Sequence, residues 1–449
     1  MIVKKAALII IVPVLFFGAL FVFRTSVRGE TGGTSSDEVS PEFNWRSQSG
    51  TKLNVMLNLH PWVEIIEPIL PEFEALTGID VEISIYPEDQ LRAKRKIEMV
   101  SGVSDVDVFM IMPGHSLTLY ERSGWISSLD DLIDDPTLTN PDFRKDDFFP
   151  AALEAGRRHE SQYAIPVLME TSLLAYNREI LEKYGIHEPP STLDELENTA
   201  RKIYSESNGE IYGITMRGKR ASATSQWIDF LRGFGGDWLE GDRSGMGSRE
   251  AILATAYYGR LLRLYGPKSA PSNGWYESIS IFMEGRAAMI YDASVFKIHY
   301  EDSSSSEIAG KVGYSLIPEG PAGTTPHIST WGLSVYSGSQ NREAAWILIQ
   351  WLTNEANSLQ ALLGGIPAAR SSVWENDEFT SHDSTPQWTR ASKESYALAS
   401  PYWNPPVADV DRYREAVGSA IVESILGNYV ASACHAAEAE TNSLLENEP

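Results

Sequence analysis

The chain has 449 residues, which suits two domains of about 200 residues better than one hydrophobic core. Hydrophobic residues make up 43% of it and charged residues 22%, a balance typical of a globular protein. Its 61 acidic and 37 basic side chains give a formal net charge of -24, and such a surface repels nucleic acid and anionic lipid headgroups. The single cysteine, Cys434, excludes an internal disulfide and multi-cysteine zinc or iron–sulfur sites. We interpret Cys434 as a small residue of the last helix rather than as a reactive thiol.

An uncharged run near the N-terminus, Ala6–Phe23, follows two lysines. As a helix this run spans roughly 27 Å, close to the hydrocarbon thickness of a bilayer. It is either a secretory signal peptide or an uncleaved signal anchor, and both place the rest of the chain outside the cytoplasm. We favour the anchor, because Arg24 and Arg28 stand where a small-x-small cleavage site is expected. No cysteine follows the run, which excludes a bacterial lipoprotein anchor, and the polar segment Glu30–Gly50 predicts a flexible spacer.

After the spacer, strand-like and helix-like segments alternate. In chain order the pattern predicts a strand at Leu53–Leu59, a helix through Ile66–Leu76 closed by Gly78, a strand at Val81–Tyr86, a helix at Glu88–Val100 and a strand at Val106–Met112. Strands separated by helices of this length predict βαβ units and a parallel sheet. Ligands of such sheets bind beyond the carboxyl ends of the strands. The loops His60-Pro61-Trp62 and Pro113-Gly114-His115 are therefore expected at a ligand cleft.

The middle of the chain carries a longer motif, YAIPVLMETSLLAYNREILEKYGIHEPPSTLDEL at 163–196. It reads as an apolar strand containing one Glu, a helix, a Pro-Pro stop and a second helix capped by Ser191 or Thr192. Four further stretches accompany it: YERSGWISSLDDLI, FMEGRAAMIYDASV, GLSVYSGSQNREAAWILIQWLTNEAN and GGIPAARSSVW. In order and spacing the five resemble the extracellular solute-binding proteins for sugars, the group that includes maltose-binding protein.

Three short pieces are most similar to the polyol binders within that family. They are RGKR at 217–220, MIYDASV at 289–295 and PAARSS at 367–372. The chain departs from polyol binders after the first piece, where Ala-Ser-Ala-Thr-Ser-Gln replaces the usual Gly-Trp-Gly-Glu-Asn stretch. The resemblance therefore implies a sugar or a polyol as ligand and leaves the two open.

The resemblance implies an α/β, two-lobed periplasmic-binding-protein fold of type II, with a hinge that closes over the ligand. After the anchor and spacer at 1–50, we expect lobe I at 51–168 and 318–352, and lobe II at 169–317 and 353–449. The implied function is that of a monomeric, non-catalytic receptor that delivers its ligand to the membrane-spanning permease of an ABC importer. No cofactor, metal or catalytic residue is expected.

Sugar and polyol sites need aromatic faces for the C–H side of the ligand, and carboxylates, guanidiniums and amides for its hydroxyls. The candidate ligand-binding residues are Glu170, Asp292, Trp331, Trp62, Arg370, His115, His60, Arg217 and Trp227. Glu170 stands foremost, because a carboxylate inside an apolar strand needs a partner or a ligand. Asp292 and Arg370 match residues of the family, and Arg370 either binds hydroxyls or locks a carboxylate such as Asp292.

Three alternatives remain open at the level of the sequence. An anchored sensor of the same fold would report ligand occupancy to a membrane partner instead of feeding a permease. A secreted glycoside hydrolase would use two of the many carboxylates, although the chain has no HExxH, GxSxG or P-loop pattern. A third alternative is another ligand class, such as peptides or oxyanions, and an oxyanion site would favour Arg clusters or exposed helix N-termini.

Overall fold

The computed structural model describes residues 42–102 and 104–447. The predicted membrane segment Ala6–Phe23 lies outside these residues. Within the part that is described, no helix combines the length and apolar character needed to cross a membrane.

One curled, mixed sheet organises the described residues. The strands are β1 (Lys52–Asn58), β2 (Asp80–Tyr86), β3 (Val108–Ile111), β4 (Arg157–Arg158), β5 (Ser161–Gln162), β6 (Ile165–Asn177), β7 (Leu239–Glu240), β8 (Arg243–Ser244), β9 (Met289–Ala293), β10 (Val312–Ser315) and β11 (Ile328–Val335). The sheet order is β10-β6-β11-β3-β1-β2, and β9 also pairs with β6. Strand β1 is parallel to β2 and β3, whereas β11 is antiparallel to β3 and β6. The short strands β4–β5 and β7–β8 form two separate hairpins.

Helices connect and cover these strands. They are α1 (Pro61–Ile66), α2 (Leu70–Thr77), α3 (Glu88–Ser101), α4 (Pro113–Arg122), α5 (Asp130–Ile133), α6 (Pro150–Ala155), α7 (Arg178–Lys183), α8 (Leu193–Glu206), α9 (Arg220–Gly233), α10 (Arg249–Tyr265), α11 (Trp275–Met283), α12 (Lys297–Tyr300), α13 (Arg342–Leu352), α14 (Glu355–Leu363), α15 (Asp377–His382), α16 (Pro386–Leu398), α17 (Val410–Leu426) and α18 (Val430–Glu446).

The parallel βαβ arrangement predicted for the N-terminal part is confirmed. The predicted helix over Ile66–Leu76 is interrupted, however, because α1 and α2 are separated by a 3-10 turn at 67–69. Pro68 and Pro71 lack the backbone N–H that a continuous helix needs there. Gly78 ends α2 with φ of 74°, a left-handed conformation that favours glycine. Of the two predicted caps of α8, the Thr192 hydroxyl accepts the Glu195 N–H.

Two large hydrophobic cores lie along the sheet, and β6 runs through both. All thirteen residues of β6 are buried; Ile165 and Met169 belong to the first core, and Leu174 and Tyr176 to the second. The first core also contains β1, β11 and α13, while the second contains much of α8, α9, α10 and α17. The C-terminal half of β6 therefore contributes to both cores, since Leu173 and Ala175 pack in the first and Leu174 and Tyr176 in the second.

The division between the cores differs in two respects from the lobe boundaries expected from the sequence. Phe282, Tyr300 and Tyr314 lie in the stretch expected in lobe II, but they pack in the first core. The stretch 361–396 was expected in lobe II, but Trp374, Trp388 and Tyr396 pack in the first core with β1 and β11. The C-terminal helices α17 and α18 do join the second core. There Cys434 is buried, and burial raises the pKa of its thiol to about 11. This environment agrees with the interpretation of Cys434 as a packing residue.

Candidate functional site

Glu170 lies in the middle of β6, before the part of the strand that contributes side chains to both cores. Its backbone pairs with Ser329 of β11, and its side chain is only 11% exposed. The nearest basic group is His60, whose Nε2 is 3.6 Å from Oε1 of Glu170. That separation is longer than a hydrogen bond. Glu170 therefore offers a nearly buried carboxylate that no protein donor in the described residues engages.

His60 is held in a fixed orientation at the start of α1. Its Nδ1 accepts the backbone N–H of Trp62 at 3.1 Å, so that the ring proton resides on Nε2 and faces Glu170. The Trp331 indole packs against the imidazole with 5.8 Å between ring centroids. Trp331 also lines a narrow cavity of about 10 Å³, room for about one water molecule. The loop after β1 and the strand β11 thus bring a histidine and an aromatic face to the carboxylate of Glu170.

Asp292 holds Arg217 in place from the second core. The guanidinium of Arg217 donates two hydrogen bonds to Asp292, from Nε to Oδ2 at 3.1 Å and from Nη2 to Oδ1 at 2.5 Å. Gln226 and the backbone N–H of Ala293 donate further bonds to Oδ1. Asp292 is accordingly saturated by protein donors, and its function in this geometry is to orient Arg217.

The pKa of Arg217 depends on two carboxylates, those of Asp292 and Glu170. Burial favours its neutral form, but the Asp292 carboxylate outweighs burial and raises the pKa of Arg217 above its ordinary value. The charge of Glu170 acts in the same direction. Glu170 and Arg217 are therefore close enough to interact, one as an acceptor and the other as a donor. Such a pair can bind the two sides of a hydroxylated ligand.

The segment between α16 and α17 contributes site residues that sequence reasoning missed. Trp403 stacks on His327, with 6.1 Å between ring centroids and 28° between ring planes, and the Arg414 guanidinium lies 4.9 Å from the Trp403 ring. The Trp403 Nε1 and both side-chain amide atoms of Asn404 are buried and have no hydrogen-bond partner among the described residues. The sequence does contain an indication of Trp403 and Asn404, because an aromatic residue and an amide stand next to each other in the proline-rich stretch PYWNPP.

Gly114 allows Trp403 to approach the start of α4. A Cβ atom at position 114 would lie 2.6 Å from Nε1 of Trp403, which is closer than such contacts occur in proteins. The loop Pro113-Gly114-His115 was expected at the cleft, and it does meet the Trp403 segment. A glycine here is thus required by the close approach rather than by its own backbone conformation.

His115 connects α4 to the first turn of α17. Its Nε2 is 2.9 Å from Oδ1 of Asp411, and burial lowers the pKa of His115. The neutral imidazole therefore donates its Nε2 proton to the carboxylate. This hydrogen bond in turn lowers the pKa of Asp411 to about 2. The pair links a helix beside β3 to a helix of the second core.

Three of the candidate residues are core residues. Arg370 is fully buried and donates to the backbone oxygens of Phe143, Arg144 and Thr353 as well as to Asp147. Of the two interpretations of Arg370, the structure agrees with the locking of a carboxylate, but that carboxylate is Asp147, because Asp292 is paired with Arg217.

Trp227 and Trp62 are buried as well. Trp227 donates its Nε1 proton to Thr255 and packs on Trp238, while Trp62 is 1% exposed in the first core. The structure therefore gives none of the three an accessible face, and the candidate site reduces to His60, His115, Glu170, Arg217, Asp292 and Trp331, with Trp403 and Asn404 added.

The family described as bacterial extracellular solute-binding protein matches residues 62–358, more than half of the chain. The chain belongs to the bacterial extracellular solute-binding proteins. The sequence-based assignment to this family, and to a binding rather than a catalytic role, is confirmed. The family also places the protein outside the cytoplasm, as expected.

Relatives of this solute-binding protein include an erythritol/L-threitol-binding protein of Mycolicibacterium smegmatis. It is 28% identical over 374 residues, which cover 78% of this chain and 77% of the relative. A mannitol-binding protein of Pseudomonas aeruginosa is 25% identical over 336 residues, covering 73% of this chain and 72% of the relative.

Solved structures share the fold of this solute-binding protein. An Agrobacterium radiobacter solute-binding protein in complex with ribitol has a TM-score of 0.78 at 22% identity, covering 88% of this chain and 99% of the other. Maltose-bound T. maritima MalE3 has a TM-score of 0.76 at 22% identity, covering 88% of this chain and 100% of the other. The α/β fold expected from the sequence is thus the fold of maltose-binding-like proteins.

Proposed function

We propose that the protein captures a small polyol or sugar between two lobes and delivers it to the permease of an ABC importer. The observation that carries this proposal is Glu170, a nearly buried carboxylate that no protein donor in the described residues engages. Arg217 supplies a guanidinium that Asp292 holds in place. The names of the erythritol/L-threitol- and mannitol-binding relatives support the same ligand class.

The chemistry of the site suits hydroxyl groups, which both donate and accept hydrogen bonds. Glu170 and the unpartnered Oε1 of Gln226 accept, whereas Arg217, the Trp403 Nε1 and the Asn404 amide donate. The Trp331 ring is buried and packs against His60, so that it holds the imidazole that faces Glu170. A mixture of both charges also disfavours a strongly anionic ligand such as a free phosphate.

We propose two lobes with the boundaries expected from the sequence, except that the stretch 361–396 joins lobe I. In this proposal lobe I contains 51–168 and 318–352 together with the stretch 361–396, and lobe II contains 169–317 and the C-terminal helices. Strand β6 crosses from one lobe to the other. The contact of His115 with Asp411 then belongs to the closed form, because it joins opposite lobes.

A thermal-shift screen tests the ligand class directly. Tetritols, pentitols, hexitols, monosaccharides, maltose, amino acids and short peptides would be added one at a time to purified protein. A ligand at 100 times its Kd stabilises the folded state by about 2.7 kcal/mol through mass action, which raises the Tm measurably. We expect at least one polyol or monosaccharide to do so. A screen in which amino acids or peptides raise the Tm and no hydroxylated compound does would refute the proposal.

Attachment and oligomeric state form a second part of the proposal. We propose that Ala6–Phe23 holds the protein at the outer face of the cytoplasmic membrane as an uncleaved anchor, and that the body after Thr51 is a monomer. Membrane fractionation of the full chain and gel filtration of a chain starting at Thr51 test these points. A mature N-terminus found by mass spectrometry between Phe23 and Thr51 would exclude the anchor.

A further inference from the structure

A second cavity lies beside β10, lined by residues that play no part in the site at Glu170. Its volume is about 630 Å³, large enough for a mono- or disaccharide. One wall is the outer face of α16, which presents Gln387, Arg390 and Glu394. The opposite wall is formed by the loop 188–191 and the segment 315–319.

Both walls are anchored by bonds that do not involve the side chains of Gln387, Arg390 and Glu394. The inner face of α16 is tied to the sheet, since Tyr396 donates to the backbone oxygen of Met169 at 2.8 Å and Trp388 donates to that of Ser294 at 2.8 Å. On the other side, backbone hydrogen bonds join Glu319 to the loop through its N–H and its carbonyl oxygen. The cavity is therefore a built feature of the fold and does not depend on a loose loop.

Some polar groups of the cavity are bonded to the protein, among them the hydroxyls of Ser191, Tyr314 and Thr324, whereas others have no partner within the described residues. No hydrogen bond or ion pair engages the side chains of Gln387, Arg390 or Glu394, although each lines the cavity. The Ser315 hydroxyl also lines it and is buried without a partner. A buried hydroxyl and three free polar groups around one cavity are the arrangement that a polar ligand would satisfy.

Aromatic and charged residues define the class of ligand. Tyr176 and Tyr314 supply aromatic surface, and an amide, a guanidinium and carboxylates supply donors and acceptors. Glu188, Glu319 and Glu394 outweigh Arg390 in charge, which disfavours phosphate and other anions. We propose that this cavity is a second binding site, for a small neutral polyhydroxylated molecule of the sugar or polyol class.

The position of the site predicts an effect on ligand capture. Tyr314 and Ala391 belong to the first hydrophobic core, whereas Tyr176 and Ile317 belong to the second. A molecule that contacts both walls stabilises one relative position of the cores over others. By thermodynamic linkage it then changes the affinity of the site at Glu170, and the two sites affect each other by the same factor. This consequence rests on the proposed function, whereas the second site itself does not.

Titration calorimetry of the full chain with D-mannitol, ribitol, erythritol and maltose tests the proposal. Each compound is titrated up to about 50 mM, because an open site is expected to bind in the millimolar range. We expect two binding steps for at least one probe. The weaker step should lose about tenfold in affinity in the double variant Gln387→Ala/Arg390→Ala and remain in Glu170→Gln. Lys393→Ala is the matched control, because it removes a positive charge from the same helix at a side chain that pairs with Glu375 instead. In this control the weaker step should be unchanged.

The outcomes separate the second site from the proposed function. One step for every probe, weakened by Glu170→Gln and unaffected by the double variant, would overturn the second site and leave the proposed function standing. A single step weakened only by the double variant would support the second site and refute the capture site at Glu170. Binding of spermidine to the cavity, with no polyol or sugar bound there, would overturn the assignment to a neutral ligand.

Discussion

The substitution Glu170→Gln removes a charge and keeps the shape of the side chain. Glu170 makes no hydrogen bond to the protein in the described residues, and His60 is 3.6 Å away. Its carboxylate is therefore available to a ligand hydroxyl, and a hydrogen bond to a charged acceptor is worth about 1.5–3 kcal/mol. We expect the substitution to weaken ligand binding by about ten- to a hundredfold. The free energy of unfolding of the ligand-free protein should change by less than about 1 kcal/mol, since no protein donor is left unpaired.

Calorimetry with the ligand found by thermal shift, and urea unfolding without it, measure the two quantities. Glu182→Gln serves as the matched control, because Glu182 is an exposed carboxylate on α7 and should change neither quantity. Asp292→Asn provides the contrast: it leaves the Arg217 guanidinium without its charged partner and should cost about 3–5 kcal/mol of stability. Wild-type binding by Glu170→Gln, or a loss of stability as large as that of Asp292→Asn, would refute the placement of the ligand at Glu170.

Three further predictions concern the surrounding structure. Arg370→Met should destabilise the protein by about 3 kcal/mol or more in urea unfolding, because it leaves Asp147 without its buried partner; an unchanged midpoint would contradict this. Trp403→Phe keeps an aromatic ring but removes the unpartnered Nε1 donor, and it should weaken ligand binding by about fivefold in calorimetry with little effect on stability; equal affinity would exclude this donor from the site. Burial lowers the pKa of His115 below its ordinary 6.5, so the stability that neutral His115 provides is present above that pH and is lost as pH falls. The wild type should therefore lose more stability between pH 7 and 5 than His115→Gln does, whereas the contribution of Asp411, with its pKa of about 2, is lost only in stronger acid.

Local patterns predicted much of the fold. The alternation of short apolar runs with helical spacing identified β1, β2 and β3 and their parallel pairing, and Gly78 was correctly expected to end a helix. The interruption between α1 and α2 also has a local cause, which is the presence of Pro68 and Pro71. The prediction of a continuous helix relied on the helical spacing of the apolar residues and gave these prolines too little weight. These features depend on neighbours within a few residues, and for that reason they can be read from the chain alone.

The candidate site was predictable only in part. Glu170 was identifiable because a carboxylate in an apolar strand contradicts its surroundings, and the structure places it in the middle of the fully buried strand β6. Arg370 was identified by the same kind of argument, yet its buried charge is satisfied by Asp147 and backbone oxygens far along the chain. Burial of a charged group indicates that it has a partner, but the identity of that partner depends on the packing of distant segments.

The sequence by itself determined the family, the binding rather than catalytic role, and the alternating strands and helices of the N-terminal part, because each rests on local periodicity or on motifs kept in order. Only the tertiary structure decided which polar residues meet. It paired Arg217 with Asp292 across 75 positions and brought His115 to Asp411 across 296. In the tertiary structure the stretch 361–396 also packs in the first core, and Trp403 lies against Gly114. Such contacts arise when whole elements pack, and the free energy that selects them is shared among many buried groups rather than stored in any local pattern.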